Sequence, residues 1–339
     1  GTRGKAPFEA VLTHGFVLDE QGRKMSKSLG NVVAPQEVTE KNGAEILRLW
    51  VAGSDYGDDL RIGPEILKHQ IDLYRRLRNT LRYLLGNLAG FSEEERLPHA
   101  EMPELERWVL HRLAELDGVV RRAVEDFDFN ALFTALHTFC AVDLSAFYFD
   151  VRKDSLYCDR SDAVARRAAR TILDELFSCL TAWLAPVMCF TAEEAWLARR
   201  GQEADSVHLR LFPEIPAAWR DDALAAKWRK IRALRRVVTG ALELERENKR
   251  IGASLQAGPT VYATEDYVEA MRGLDLAEIA ITSSATLVAG AAPEGAFTLE
   301  DVAGVGVVSA LADGSKCQRC WRVLPDVGSV AGHEDICGR

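Results

Sequence analysis

The spacing of apolar residues between Gly63 and residue 250 constrains the fold of this chain more than any other feature of the sequence. After Pro64, which suits a first helical turn, apolar side chains recur every three or four positions and predict one helix up to Gly90. The same spacing predicts helices at residues 105–124, 130–150, 162–184, from Thr191 onward and 220–250. Thr191 and Glu194 have the spacing of a capping box. Together these helices predict an antiparallel helical bundle.

The two ends of the chain have a different pattern. At the start, apolar runs at residues 10–13 and 15–18 precede a polar loop and a helical segment around Trp50, which predicts strand, loop and helix. At the other end, β-branched and small residues predict strands at 260–263, 279–282, 286–288 and 305–308, around a helix at 266–272. We therefore predict a mainly helical chain with a small α/β module after residue 257.

Composition sets outer limits on location and partners. The 339 residues are 47% hydrophobic and 27% charged, which is typical of a globular chain of two or three domains. No apolar run approaches the roughly 20 residues of a membrane span, and the first ten residues lack a signal pattern, so we expect a cytoplasmic protein without a membrane partner. The net charge of -9 argues against nonspecific nucleic-acid binding, so any such binding requires a local basic surface.

The helix predicted at residues 220–250 is the most basic part of the chain. Arg235, Arg236, Lys249 and Arg250 are among its cations, and few acidic residues follow its opening aspartates. Because contacts between such cations and phosphates release counterions, this helix is a candidate for binding an RNA backbone. The alternative is a solvated helix face with ion pairs between successive turns.

Three of the seven cysteines lie close together near the end of the chain. Cys317 and Cys320 have the two-residue spacing of a metal-binding knuckle, and Cys337 follows 17 residues later. Two such knuckles would hold zinc with four thiolates, so the sequence predicts a zinc ribbon that lacks one cysteine. A second knuckle of equal spacing would place that cysteine at position 340, and His333 is the alternative fourth ligand. A redox pair is disfavoured because no thioredoxin-like βαβ pattern surrounds Cys317.

The segment at residues 22–31, GRKMSKSLGN, is called the lysine loop below. Lys24 and Lys27 bring two ammonium groups beside the hydroxyls of Ser26 and Ser28, so the loop can close over a polyphosphate whose charge moves during a reaction. A solvated lysine turn is the alternative for a generic loop of this composition. The particular pentapeptide from position 24 to 28 has chance odds on the order of 10^-4 at ordinary residue usage.

That pentapeptide resembles the second signature of class I aminoacyl-tRNA synthetases. The flanking residues 13–15, Asp19, Glu20, Gly22, Gly30, Asn31 and Pro35 resemble the frame of that signature in the isoleucine, valine and leucine enzymes. The strings NKRIGASLQA and KCQRCWR also resemble the C-terminal part of the bacterial isoleucine enzymes, and the cysteine tail distinguishes these from the other members.

The resemblance implies a division of the chain into four parts. Residues 1–62 would be the end of a nucleotide-binding α/β catalytic domain with the lysine loop and a connecting fold, and residues 63–257 an anticodon-binding antiparallel helical bundle. Residues 258–314 would be a small α/β module, and residues 315–339 a truncated zinc ribbon.

The resemblance also implies a reaction, in which isoleucine is activated by ATP and transferred to its tRNA. Lys27 would stabilise charge on the departing pyrophosphate, with Lys24, Ser26 and Ser28 shaping the loop and Mg²⁺ shared with the phosphates. Zn²⁺ would be bound by the three clustered cysteines. Isoleucine tRNA would be contacted by basic residues of the bundle and by Trp321 and Arg322, where the indole ring could stack on an unpaired base. We expect a monomer.

The sequence also departs from the family. It contains no His-x-Gly-His first signature and no segment that could be the editing domain, so we expect this chain alone to be inactive. One alternative is a stand-alone tRNA-binding module with a zinc ribbon. Others are part of the valine or methionine enzyme, or a structural scaffold stabilised by zinc.

Overall fold

The computed structural model describes residues 2–338, and helices dominate it. The α-helices are α1 Pro35–Asn42, α2 Ala44–Ala52, α3 Pro64–Asn87, α4 Glu104–Glu125, α5 Phe129–Thr138, α6 Phe149–Cys158, α7 Val164–Leu184, α8 Cys189–Arg200, α9 Asp222–Glu247, α10 Glu265–Met271 and α11 Leu276–Ala280. The strands are β1 Val17–Asp19, β2 Leu60–Ile62, β3 Thr260–Ala263, β4 Thr286–Ala289, β5 Phe297–Leu299, β6 Val302–Val308, β7 Ser315–Lys316 and β8 Val323–Leu324. The predicted mainly helical class is confirmed.

The chain divides into two compact units. The first contains the residues up to Gly90 together with Glu115–Asp143 and Leu173–Ile215. The second contains Phe91–Ala114, Leu144–Ile172 and the residues from Pro216 onward.

The first unit contains a short parallel strand pair and the helices that follow it. Val17 in β1 is paired with Leu60 in β2, and Asp19 is paired with Ile62. Six buried side chains form a core beside this pair, namely Val38, Ile46, Trp50, Leu60, Ile62 and Leu67. The predicted order of strand, loop and helix is found, because the second apolar run, at residues 15–18, overlaps β1. The first run, at residues 10–13, is exposed and has no strand partner among the described residues.

Two side chains of α2 bind the backbone groups that are left without helical partners between the end of α7 and the start of α8. The carboxylate of Glu45, which is buried, accepts hydrogen bonds from the backbone N–H groups of Phe190 and Thr191 at 2.8 and 2.9 Å. Arg48, one helical turn later, donates to the carbonyls of Pro186 and Val187 at 2.7 and 2.9 Å. A buried carboxylate thus satisfies the first amides of α8, which would otherwise lack partners.

The capping box predicted at Thr191 is wrong. Helix α8 begins two residues earlier, at Cys189, and its N-cap residue Met188 makes no side-chain capping bond. The hydroxyl of Thr191 instead donates to Glu45 and contacts the hydroxyl of Tyr74 at 2.9 Å. The cap is therefore supplied by a residue 146 positions away in the sequence.

The second unit has an aromatic core beside a buried ion-pair network. The rings of Trp108, Phe147 and Trp228 lie 5.4 to 6.0 Å apart between centroids. Arg152 donates to both carboxylate oxygens of Glu106 at 2.6 and 2.7 Å, and the Tyr148 hydroxyl donates to the same carboxylate at 3.1 Å.

The network continues to α11, where Arg152 also donates to Glu278 at 2.5 Å. Burial raises the pKa of Glu278, and the nearby charge of Arg152 opposes that rise. Charged groups this deep require such pairing, since an isolated buried charge is costly.

The small α/β module forms a four-stranded sheet with the order β4-β3-β6-β5. Strand β3 is parallel to β4 and antiparallel to β6, which is antiparallel to β5. The predicted strands at 260–263, 286–288 and 305–308 and the predicted helix at 266–272 are confirmed to within a few residues. The strand predicted at 279–282 is wrong, because that segment ends helix α11, which Asp275 caps by accepting from Ala277 at 2.8 Å.

The run Phe129–Cys158 is helical throughout, with π-helical turns at Phe139–Tyr148 between α5 and α6. By length and composition it could cross a membrane, which contradicts the prediction that no apolar run approaches that length. More than half of its most apolar window is buried inside the protein, as in the core helix of a globular protein. We interpret the run as such a core helix.

Candidate functional site

The lysine loop leaves β1 and ends before α1. Its residues Lys27–Leu29 form one 3₁₀ turn, which Ser26 caps by accepting a hydrogen bond from the Leu29 amide at 3.3 Å. Gly30 ends the turn with φ 65°, a left-handed conformation that glycine adopts without strain. The side chain of Met25 packs against the core of the first unit, so the middle of the loop is anchored.

The four predicted catalytic residues lie together in this loop. The hydroxyls of Ser26 and Ser28 are 3.1 Å apart. Lys24 and Lys27 are exposed, and within residues 2–338 no carboxylate forms an ion pair with either one. Two cations without an acidic partner, beside two hydroxyls, suit the binding of an anion such as a polyphosphate.

Asp19 and Asn31 fix the two ends of the lysine loop. Asp19 is buried and accepts from the backbone N–H of Arg23 at 2.8 Å, from the Arg23 side chain at 2.9 Å and from the Asn31 amide at 2.9 Å. The hydrogen bond from Asn31 is the largest cause that lowers the pKa of Asp19 to about 2. Both residues belong to the family resemblance in the sequence, but their roles are visible only in the structure.

The three clustered cysteines, called the cysteine knuckle below, lie together in the second unit. The sulfur atoms of Cys317, Cys320 and Cys337 all lie within 4.8 Å of one another, with Cys320 and Cys337 3.8 Å apart. The hairpin of β7 and β8 flanks the first two of them. The ring of His333 does not join the group, and within residues 2–338 no fourth ligand atom does.

The environment of the cysteine knuckle favours a thiolate at Cys317. Burial alone would raise the pKa of this thiol, but backbone N–H groups, including those of Cys320 and Cys337, lower it to about 7. Burial and the neighbouring thiols raise the pKa of Cys320 to about 12, as expected when one thiolate opposes ionisation of the next. Three soft sulfur donors around one point fit three positions of a tetrahedral zinc site.

A cavity of about 660 Å³ lies beside the cysteine knuckle within the second unit. Trp321 contributes to its wall, is 63% exposed and has φ 65°. Arg319 donates to the Cys158 carbonyl at 3.0 Å and Arg322 to the Ser283 carbonyl at 2.7 Å, so both guanidinium groups contact the protein itself. The Trp321 ring is exposed, with the Lys316 ammonium 5.6 Å from its centroid. Tyr157, which the sequence pattern did not single out, lines the same cavity and is also exposed.

Most cations of the basic helix α9 bind acidic residues of the second unit. Lys227 contacts Glu104 at 2.7 Å, Lys230 contacts Asp266 at 3.1 Å and Arg236 contacts Asp301 at 2.7 Å.

Arg235 lies deeper than the other cations of α9. Its side chain is 16% exposed, its Nε donates to the Ile279 carbonyl at 2.8 Å, and its guanidinium group lies over the ring of Phe147. Burial lowers the pKa of Arg235.

The end of the basic segment is more open. Arg250 is 66% exposed and contacts Glu245 at 2.9 Å. Lys249 is exposed, has φ 58°, and no side-chain partner for it is found in the described part of the chain. Of the predicted RNA contacts, Lys249 and Trp321 are therefore the most accessible to a partner.

Three family models match separate parts of the chain. Residues 1–63 match "tRNA synthetases class I (I, L, M and V)", and residues 106–261 match "Anticodon-binding domain of tRNA ligase". Residues 314–339 match "Zinc finger found in FPG and IleRS". The first match contains the lysine loop and the third contains the cysteine knuckle.

Relatives match over the whole length of the chain. An isoleucine–tRNA ligase of Agrobacterium fabrum is 56% identical over 339 residues, which are 100% of this chain and 35% of the relative. An isoleucine–tRNA ligase of Caulobacter vibrioides is also 56% identical, over 99% of this chain and 35% of the relative. The chain thus spans about a third of the length of these relatives.

One solved structure is similar at a lower level. The ternary complex of Agrobacterium radiobacter K84 LeuRS with tRNA and LeuAMS matches 61% of this chain and 24% of that chain. The identity is 22% and the TM-score is 0.48.

Proposed function

We propose that the chain is part of an isoleucine–tRNA ligase of class I and that it supplies two parts of that enzyme. One part is the lysine loop of the ATP site, and the other is the surface that binds the anticodon region of isoleucine tRNA. The 56% identity to an isoleucine–tRNA ligase over the whole chain carries the proposal. The whole enzyme would activate isoleucine with ATP and transfer it to its tRNA in the cytoplasm, acting as a monomer.

The lysine loop would act on the departing pyrophosphate. When the carboxylate of isoleucine attacks the α-phosphorus of ATP, negative charge accumulates on the leaving phosphates. Lys27 would stabilise that charge, with Lys24, Ser26 and Ser28 shaping the loop around the phosphates. Mg²⁺, when bound, would neutralise part of the phosphate charge. The absence of carboxylate partners for the two lysines among the described residues supports this role.

We propose that the chain has four parts with separate roles. We infer a catalytic-domain end at residues 1–62, an anticodon-binding antiparallel bundle at 63–257, a small α/β module at 258–314 and a zinc ribbon at 315–339. The family matches at 1–63 and 314–339 support the first and last of these parts, and the match at 106–261 lies mostly within the proposed bundle.

Zinc would hold the cysteine knuckle in its folded shape and would take no part in the chemistry. Cys317, Cys320 and Cys337 would be ligands as thiolates, and a fourth donor would complete the tetrahedron. The lowered pKa of Cys317 supports this role, because it favours the form of the thiol that binds metal.

The tRNA surface would lie on the second unit. Trp321, with its exposed ring above the cavity, would stack on an unpaired base, and Lys249 and Arg250 would contact phosphates. Arg322, Arg235 and Arg236 remain candidates, but their existing partners mean that RNA would have to replace or share those contacts.

The proposal is tested by gel shift of the chain with purified isoleucine, valine and methionine tRNAs, at fixed salt and with or without zinc. Preference for isoleucine tRNA is the expected result. Equal, salt-sensitive binding of all three would leave only a basic surface, and no binding would count against the anticodon role. The isolated chain is expected to show no isoleucine-dependent exchange between ATP and pyrophosphate.

A further inference from the structure

We propose that Asn31 is a positioning residue of the lysine loop. Its side-chain amide fixes the half of the loop that contains Lys24 and leaves the turn that contains Lys27 free to move. The inference rests on the proposed function, because it assumes that the loop serves the phosphates of ATP.

The amide of Asn31 binds the backbone on both sides of Met25. Its Oδ1 accepts from the Ser26 N–H at 2.9 Å, and its Nδ2 donates to the Lys24 carbonyl at 3.2 Å. A carboxamide can accept on one atom and donate on the other, so it holds this stretch much as a neighbouring strand would. Because Met25 packs against the core from the same stretch, residues 24–26 are held from two directions.

The same amide connects the exit of the loop to its entry. Its Nδ2 also donates to Asp19 Oδ2 at 2.9 Å, and Asp19 holds Arg23 through the backbone and side-chain bonds described above. Only a group with both an acceptor and N–H donors can make all of these contacts. A carboxylate at position 31 would lose the donors and would place a second negative charge beside Asp19.

The turn that follows is held differently. The hydrogen bonds found for Asn31 within residues 2–338 reach Asp19, Lys24 and Ser26, and none reaches residues 27–29. That turn is closed by its own cap, and the side chain of Leu29 is 66% exposed. A short exposed turn with few external contacts opens easily. The turn that contains Lys27 can therefore follow the phosphates as charge shifts, while the backbone at Lys24 stays at a fixed position.

The first test uses limited trypsin digestion of the chain, since trypsin cleaves after both lysines of the loop. Asn31→Ala loses all three hydrogen bonds of this side chain, and Asn31→Asp loses the two that Nδ2 donates. In both variants, cleavage after Lys24 is expected to accelerate at least about tenfold, because each lost hydrogen bond lowers the cost of local opening. Cleavage after Lys27 should stay within about twofold of the original rate. Asn42→Asp, the same change at an exposed helix end, is the control. An equal increase at both lysines, or none, would overturn the proposal.

The second test measures isoleucine-dependent ATP–pyrophosphate exchange in a chimera, in which this chain replaces the matching residues of the Agrobacterium fabrum relative. Asn31→Asp is expected to lower kcat about 10- to 100-fold, because misplacement by about an ångström has costs of this order, and to leave the KM for isoleucine unchanged.

The double variant Asp19→Asn/Asn31→Asp is expected to recover part of the lost rate. It restores a donor and an acceptor across positions 19 and 31 and removes the contact between like charges. If the Asn31→Asp chimera keeps an unchanged rate, or if the double variant recovers none of the lost rate, the positioning role is refuted and the proposed function is not. A chimera without any exchange activity before mutation would instead refute the proposed function.

Discussion

Replacement of Glu106 by alanine is expected to destabilise the second unit strongly. The change leaves the guanidinium group of Arg152, whose side chain is 5% exposed, with Glu278 as its remaining acidic partner in the network. It also removes one hydrogen bond of the Tyr148 hydroxyl. Breaking a buried ion pair costs about 3–5 kcal/mol, and the loss of one hydrogen bond costs about 0.5–1.5 kcal/mol. Since water can enter the space left behind, we expect a loss of about 4 kcal/mol.

The double variant Glu106→Leu/Arg152→Met should cost much less than the single change. It removes both buried charges and fills their volume with apolar side chains, and such replacements are often nearly neutral. The free energy of unfolding is measured by urea denaturation with hydrogen exchange of α6 amides, which reports on this unit. Glu40→Ala, an exposed change, is the control. A loss below about 1 kcal/mol in the single variant, or a double variant less stable than the single one, would refute the reasoning.

Three further predictions concern the buried side chains of Glu45, Cys140 and Asp19. Glu45→Ala is expected to lower the free energy of unfolding of the first unit by about 2–3 kcal/mol, since it removes the cap of α8, and urea denaturation against Glu40→Ala measures it. Burial raises the pKa of Cys140 to about 12, so this thiol should resist alkylation at pH 8 in the folded chain. Cys317, with its pKa of about 7, should instead react unless zinc is added. Mass spectrometry identifies the modified thiols, and modification of Cys140 before unfolding would contradict the prediction. The pKa of Asp19 lies below its ordinary value of 3.8, at about 2, so its contribution to loop stability should be complete above about pH 4 and lost as the pH falls toward 2. Carboxyl NMR gives the midpoint, and a value near 3.8 would refute this assignment.

Local patterns predicted most of the helices and three of the four strands in the α/β module, because apolar periodicity depends on neighbouring residues. Segment 279–282 was misassigned as a strand because only its own residues were considered. Its isoleucines favour a strand, but the cap at Asp275 and the burial of Ile279 favour a helix. The start of α8 was also missed, because its cap comes from Glu45, which no local pattern connects to Thr191.

The candidate sites were likewise predictable only where their residues are close together in the sequence. The lysine loop and the pair Cys317 and Cys320 were predictable because their members are close in sequence. The partners of the basic helix were not, since Glu104 and Asp301 lie more than 60 positions from the cations that they bind. The roles of Asp19 and Asn31 depend on side-chain orientation, which the sequence does not specify.

The contacts of Glu45 and Arg48 also bear on how this chain can be dissected. A truncation after residue 62 follows the change in sequence pattern. It would, however, remove Glu45 and Arg48, whose side chains bind the backbone between α7 and α8. Without these side chains, only water could form hydrogen bonds with the carbonyls of Pro186 and Val187 and with the first amides of α8. A bundle expressed from residue 63 onward should therefore fray between α7 and α8, and a fragment that begins before α2 is the better starting point for binding studies.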